Sequence, residues 1–276
     1  MSDITACIPA YNNSTTVVQA VRGLQKQTRP VHDILLIDDG STDGTGEVAE
    51  QIGARVLRQP KNMGRGAARA RAFDEIKSDY ILFCDGTNEL APEFLERAMP
   101  WFENPKVAAV FGFLTQPNPR TAVERWRGRH IFKSHMQGNE PSSHARLITH
   151  GVVMRRSAVL EVGNFKLDLR QAEDAEMGDR LLKAGYDVIR DPHLVLNSNA
   201  HNSLPQVLER YWRWHAGYNP RPSTLREYAS LISYSISVLC RQDYEAGDPS
   251  SMFISLLCPH YQFWYPRWKL WKQSAK

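Results

Sequence analysis

ILLIDDGSTDGTGEVAEQIGARVLRQ, residues 34–59, sets a strand, a turn, a helix and a second strand end to end. ILLID (34–38) is a short apolar run of the kind that forms a buried strand. It stops on two adjacent carboxylates, Asp38 and Asp39, which cannot both point into a core. At least one must face a rim, where it can accept hydrogen bonds from a base or a sugar. Gly40 and Gly44 allow a tight turn. Thr42 or Asp43 can cap the helix that the pattern predicts from Thr45 to Gln51, and ARVLRQ (54–59) then reads as the next strand.

The same alternation extends on both sides. ITACIPA (4–10) is a strand, and Val17, Val21, Leu24 and Thr28 recur at helical spacing after the capping candidates Asn13 and Ser14. Downstream, Gly64 to Lys77 is helical in pattern, YILFCD (80–85) is a strand, Pro92 to Phe102 is a helix opened by proline, and VAAVFGF (107–113) is a fifth strand. This predicts an α/β fold, a Rossmann-like, mostly parallel sheet with helices on both faces. Ligands of such sheets bind beyond the carboxyl ends of the strands. PAYNN (9–13), DDGSTDGT (38–45) and CDGTNEL (84–90) are therefore expected on one rim, as a single pocket. After Gln116 the alternation breaks. RLITHGVVM (146–154) is strand-like, helices are predicted around Arg156 to Val162 and from Asp174 to Ala184, YDVIRD (186–191) reads as a strand, and Ser203 to Gly217 as a helix. The expected organisation is a domain over 1–218, with a nucleotide-binding half (1–115) and an acceptor half (116–218), followed by a C-terminal helical and aromatic extension over 219–276.

The composition, 42% hydrophobic and 23% charged in 276 residues with a formal charge of +4, is that of an ordinary globular protein and suggests no nucleic-acid partner. One local segment is basic: Arg120, Arg125, Arg127, Arg129, Lys133 and Arg146, with His130, His135 and His144 interspersed, face only Glu124 and Glu140. Cys7, Cys84, Cys240 and Cys258 show no CxxC spacing and read as small buried hydrophobes in a reducing compartment. No secretory signal is visible at the start. The most apolar stretch, YASLISYSISVLC (228–240), is shorter than the roughly 20 residues a spanning helix needs. The expected location is cytoplasmic, with any membrane contact peripheral and at the inner face.

Taken in order, CIPAYNN (7–13), LLIDDGSTDGT (35–45), KNMGRGAARARA (61–72), ILFCDGTNELAPEFL (81–95), THGVVMRRSAVLEVGNF (149–165) and EDAEMGDRLLKAGYDV (173–188) resemble the family-2 glycosyltransferases of GT-A fold, over roughly residues 4–217. The resemblance implies a nucleoside-diphosphate-sugar donor, with a UDP-sugar favoured. It implies a glycan or lipid-linked acceptor, hexosyl transfer with inversion, and a place in cell-surface polysaccharide or glycolipid assembly. Pro9, Ala10 and Tyr11 would flank the base, Asp38 or Asp39 would hydrogen-bond base or ribose, and Arg69 would sit near the nucleotide or its phosphates. Asp85 matches the first acid of the family's Asp-x-Asp, which serves the ribose or reaches a metal through water. The final, metal-binding acid is replaced: Gly86 is followed by Thr87, and a hydroxyl is a poor substitute for a carboxylate at Mg²⁺ or Mn²⁺. Metal use is expected to be impaired, unless Asn88, Glu89 or His201 supplies a ligand. Lys61, Arg65 and Arg213 are then the cations expected to steady the departing diphosphate.

The resemblance makes Asp174 and Glu173 the catalytic acids, with Asp174 as the base, in the first turn of a helix where acids are favoured. RYWRWHAGY (210–218) is similar to the (Q/R)xxRW signature of glycan-polymerising relatives through Arg210, Arg213 and Trp214. HYQFWYPRWKLWK (260–272) interleaves aromatics with Arg267, Lys269 and Lys272. That mixture suits a membrane interface, and equally a tail packed on the domain or on a second subunit of a homodimer. Two other classes compete: a sugar nucleotidyltransferase, which would want a glycine-rich loop where PAYNN has no glycine, and a nucleotide-sugar-binding protein with lost or metal-independent catalysis.

Overall fold

A computed structural model describes residues 3–134, 138, 140–215 and 221–274. Its described residues form two compact units, one of residues 3–115 and 138–200, the other of 116–134 and 201–274. The expected boundary at 218, and the Ala216–Tyr218 end of the tryptophan-bearing segment, lie outside the described residues. Packing divides the chain elsewhere: residues 116–134 group with the C-terminal helices rather than with an acceptor half.

The first unit is built on an eight-stranded sheet of order β3-β2-β1-β4-β7-β6-β8-β5. Its elements are β1 (Ile4–Ala10), α1 (Val17–Gln25), β2 (Asp33–Asp38), α2 (Thr45–Gln51), β3 (Arg55–Arg58), α3 (Arg65–Glu75), β4 (Tyr80–Cys84), β5 (Asn88–Leu90), α4 (Phe94–Ala98), β6 (Val107–Thr115), β7 (Gly151–Arg155), α6 (Arg156–Glu161), α7 (Glu173–Lys183) and β8 (Asp187–Ser198); α5 (Ala122–Trp126) belongs to the second unit. β1 pairs in parallel with β2 and β4, β2 with β3, and β6 with β8, while β5 and β7 run the other way. Successive side chains of a strand face opposite sides. Cys7, Leu35, Ile37, Ile81, Phe83, Phe111 and Val152 pack on Phe73 of α3, Val159 of α6 and Met177 and Leu181 of α7. Their neighbours Ala6, Ile8, Leu36, Leu82, Val110 and Val153 are also buried, so the sheet is covered on both faces.

Two expectations differ from what is found. The strand expected over 146–154 begins only at Gly151, because Leu147 packs on Gly178 of α7 and the His150 carbonyl accepts from the Asp85 amide and the Asn88 side chain instead of joining a ladder. The extension, which shows little pattern in the sequence, is helical throughout most of its length.

In the second unit, Thr121 and Glu124 form a reciprocal capping box that starts α5, and a π-helical turn over Arg127–Ile131 follows. α8 (Leu204–His215), α9 (Leu225–Tyr234), a second π-helical segment over Ser235–Cys240, α10 (Arg241–Glu245) and α11 (Pro249–Ser274) complete it. Asp243 is fully buried; His130 Nε2 lies 2.7 Å from one of its carboxylate oxygens, and the Ser255 hydroxyl donates to the other at 2.6 Å. Ser255 in turn accepts from Trp126 Nε1 at 2.8 Å. Pro259 has no N–H for the Ser255 carbonyl, which accepts instead from the Ser235 hydroxyl.

Candidate active site

β1, β2 and β4 lie side by side and point the same way, so the residues after Ala10, Asp38 and Cys84 emerge on one edge. The loops are tied together there. The Asn12 amide donates to Ser41 Oγ at 2.9 Å, the Thr42 amide to Asn12 Oδ1 at 2.9 Å, and the Asn13 amide to Thr45 Oγ1 at 2.7 Å. Thr16 Oγ1 donates to the Gly86 carbonyl at 2.8 Å. A Cβ on Gly86 would stand 2.9 Å from Asn13 Oδ1, so the close approach of the first and third loops depends on that glycine. The single rim expected from the three motifs is thus present.

On that rim Tyr11 is exposed, Pro9 is half-buried and Ala10 is buried. Asp38 and Asp39 are each only 5% exposed. Asp38 Oδ1 accepts from the Ser41 amide at 2.9 Å. Asp39 accepts from Gln59 Nε2 (2.7 Å) and the Met63 amide (2.6 Å) on one oxygen and from the Gly64 amide (2.9 Å) on the other. Burial pushes the Asp39 pKa up, against the pull of those amides and of Arg170. Both acids therefore build the rim, and Asp39 fixes the start of α3.

Arg69, on α3, is 2% exposed. Its Nη1 donates to Glu173 Oε1 at 2.6 Å and its Nη2 to Asp85 Oδ1 at 3.1 Å. One guanidinium thereby joins the end of β4 to the first turn of α7. Glu173 is buried and its carboxylate is taken up by Arg69, so it positions the helix. Asp174, the next residue, stays partly exposed, with its Oδ1 on the Ala175 amide at 2.8 Å. Burial first, then the charge of Glu173, raise the Asp174 pKa, opposed by Arg69 and Arg65. A carboxylate held in this way favours taking a proton, the property wanted of a general base. Ala172, at the N-cap of α7, has φ +56°, a left-handed conformation costly for a residue other than glycine, directly before the two acids.

The segment leading into α7 lies against the start of α3. The Gly66 amide donates to the Leu169 carbonyl at 3.1 Å, and a Cβ at Gly66 would fall 2.2 Å from the Lys166 carbonyl oxygen and 2.6 Å from that of Leu169. Gly66→Ala is expected to lower stability by about 1–3 kcal/mol, read as an earlier thermal unfolding transition. An unchanged transition would show that the two segments are not in the contact described.

The side chains proposed as metal ligands have other partners. Asn88 is buried with its amide on the His150 carbonyl, and the Glu89 side chain lies over Gly23 of α1. His201 belongs to the second unit, where its Nδ1 is 3.0 Å from Glu124 Oε1. Among the described residues no group of three or more His, Cys, Asp or Glu side chains is arranged to hold a metal. Asp85 is a single carboxylate with one oxygen on Arg69, and Thr87 stands two residues on. Within the first unit this is a poor donor set for a resident divalent cation. Of the expected cations, Lys61 and Arg65 are exposed on the rim side of α3, and Arg213 in the second unit is paired with Glu209 at 3.7 Å. Arg170 was not legible in the sequence, since it stands in a loop with no periodic pattern; its guanidinium bonds the carbonyl and side chain of Asn62.

The mostly parallel sheet, its rim of acids and the helix that opens on two more form the GT-A fold. The description Glycosyl transferase family 2 matches residues 5–163, more than half of the chain, and the chain belongs to that family. It is 26% identical over 202 residues to an uncharacterized protein of Mycobacterium tuberculosis (65% of this chain, 61% of that one). It is 26% identical over 220 residues to the glycosyltransferase AglE of Haloferax volcanii (76% of this chain, 71% of AglE). The S. aureus TarS crystal structure superimposes with a TM-score of 0.54 at 16% identity, covering 86% of this chain and 46% of TarS, which shows the shared fold. The chain thus spans less than two thirds of the length of two of these three relatives.

Proposed function

We propose that this glycosyltransferase moves a sugar from a nucleoside diphosphate, a UDP-sugar in the first instance, to a hydroxyl of a glycan or lipid-linked acceptor, in a single displacement that inverts the anomeric centre. The observation that supports this reading is the Arg69 bridge that ties Asp85, at the end of β4, to Glu173, the residue before Asp174. The acceptor hydroxyl gives its proton to the Asp174 carboxylate as its oxygen attacks the anomeric carbon. The bond from that carbon to the diphosphate breaks on the opposite side, and the electron pair leaves with the diphosphate. Lys61 and Arg65 supply positive charge for the leaving group. Asp85, held by Arg69, keeps its second oxygen for the ribose, and Tyr11 offers a ring to the base. Assembly of a surface polysaccharide or glycolipid is the setting in which we place the reaction.

Hydrolysis and transfer assays with a panel of UDP-, GDP- and dTDP-sugars test the reading. Release of nucleoside diphosphate from one of them, dependent on Asp174, is expected. The weak metal donor set favours one second reading, a nucleotide-sugar-binding protein without turnover; binding of a donor without release by the parent chain would establish it. Thr87→Asp restores the second acid and is expected to raise Mn²⁺-dependent turnover severalfold. No response to Mn²⁺ in that variant would show that position 87 does not face the diphosphate.

A further inference from the structure

α11 gathers 26 residues into one helix of the second unit. One side packs inward through Ser251, Ile254, Ser255, Cys258 and Phe263, all buried. The opposite side carries Phe253, Leu256, His260, Trp264, Trp268 and Trp271. Successive steps of three or four residues put them on one stripe of a helix, and the five apolar members are 47–67% exposed. At 1.5 Å per residue the helix is roughly 39 Å long. One face of the helix is therefore packed; on the other, Phe253, Leu256 and the three tryptophans are exposed and His260 is hydrogen-bonded with the Tyr228 hydroxyl of α9.

The charge on the helix is one-sided. No Asp or Glu lies between Pro249 and Ser274, where Arg267, Lys269 and Lys272 stand. Arg267 turns inward, over the Phe263 ring at 3.6 Å with Nη1 on the Phe263 carbonyl. The two lysines are exposed; Lys269 Nζ stands 5.4 Å from the centroid of the Trp212 ring on the packed side, and Lys272 Nζ 4.1 Å from that of the Trp268 ring. Three exposed tryptophans in line, interleaved with lysines, are a poor surface for water. They match the headgroup layer of a bilayer, where indole rings straddle the polar boundary and ammonium groups meet lipid phosphates. Among the described residues no helix is long and apolar enough to cross a membrane.

We propose that this face of α11 lies flat on a bilayer surface containing anionic lipid, with Trp264, Trp268 and Trp271 at headgroup depth and Lys272, beside the Trp268 ring, against the phosphates. A second copy of the chain fits the stripe less well, because α11 has no acid with which its own lysines could pair across an interface. The inference is independent of sugar transfer.

The test is flotation of the full chain with phosphatidylcholine vesicles, with and without phosphatidylglycerol. Binding is expected to the phosphatidylglycerol vesicles, weakening with salt and accompanied by a blue shift of tryptophan emission. Replacing Trp264, Trp268 and Trp271 together by Ser is expected to weaken binding at least ~10-fold, and Lys272→Gln about 5-fold. All four side chains are exposed, so both variants keep their inward packing. Absence of binding by the parent chain, or equal binding by the parent and the tryptophan variant, overturns the proposal. A parent dimer that the tryptophan variant separates into monomers in sedimentation equilibrium also overturns it, in favour of an interface between copies.

Discussion

Asp174→Asn is expected to lower turnover by about 10²–10⁴-fold while leaving donor affinity within ~3-fold. The amide keeps the shape of the side chain and removes only its capacity to take a proton. Stability separates this outcome from damage to the fold. Burial and the Glu173 charge hold the Asp174 pKa above its ordinary value of 3.8. The folded protein thus binds the proton more tightly than the unfolded chain does. Any stabilisation from this group is present below the unfolded value and is lost as pH rises through the raised native one. Near neutral pH the charged carboxylate is a cost, so the Asn variant should unfold at the parent temperature or above it. The same shift predicts that kcat/KM of the parent falls as pH drops through a value above the usual aspartate range, and that this acid limb disappears in the variant's residual activity. Parent-level turnover by the Asn variant, measured with saturating donor, would remove Asp174 from the mechanism.

Arg69→Met carries the largest expected loss of stability. Glu173 is 4% exposed at its side chain and Arg69 2%, so the substitution leaves a buried carboxylate without its counter-charge. Removing one partner of such a pair costs about 3–5 kcal/mol, and for a chain of this size each kcal/mol moves the unfolding midpoint by about 2–4 °C. The double change Arg69→Met with Glu173→Gln should recover part of the loss, because the orphaned charge goes too. Arg69→Lys should not restore the full stability, since an ammonium on a flexible stem cannot reach Asp85 and Glu173 with one rigid fork. A loss below about 1 kcal/mol in Arg69→Met, by thermal or denaturant unfolding, would mean that the bridge is not formed.

The strands and the rim were readable because each rests on local chemistry. ILLID ends in acids beside glycines, and β2 closes at Asp38 with α2 running over Thr45–Gln51. The bridge was not readable. Arg69 lies in an alanine-rich helix, GAARARA, where it looks like any helical arginine, and Glu173 is distant in sequence; only the packing of α3 against the segment before α7 brings them together. Asp38 and Asp39 were legible as rim acids, but their commitment to loop amides depends on where Gln59, Met63 and Gly64 fold. α11 was hidden for another reason. Aromatics on both its faces and prolines at 259 and 266 blur the helical period, and the carbonyl freed by Pro259 is taken up by a serine from another helix.

A single displacement assisted by Asp174 has one stereochemical outcome, and proton NMR of the first product formed reads it directly. With an α-linked UDP-sugar that the chain accepts as donor, the account predicts a β-linked product. An α-linked product would contradict it, because a base that activates the acceptor on the face opposite the diphosphate cannot give retention.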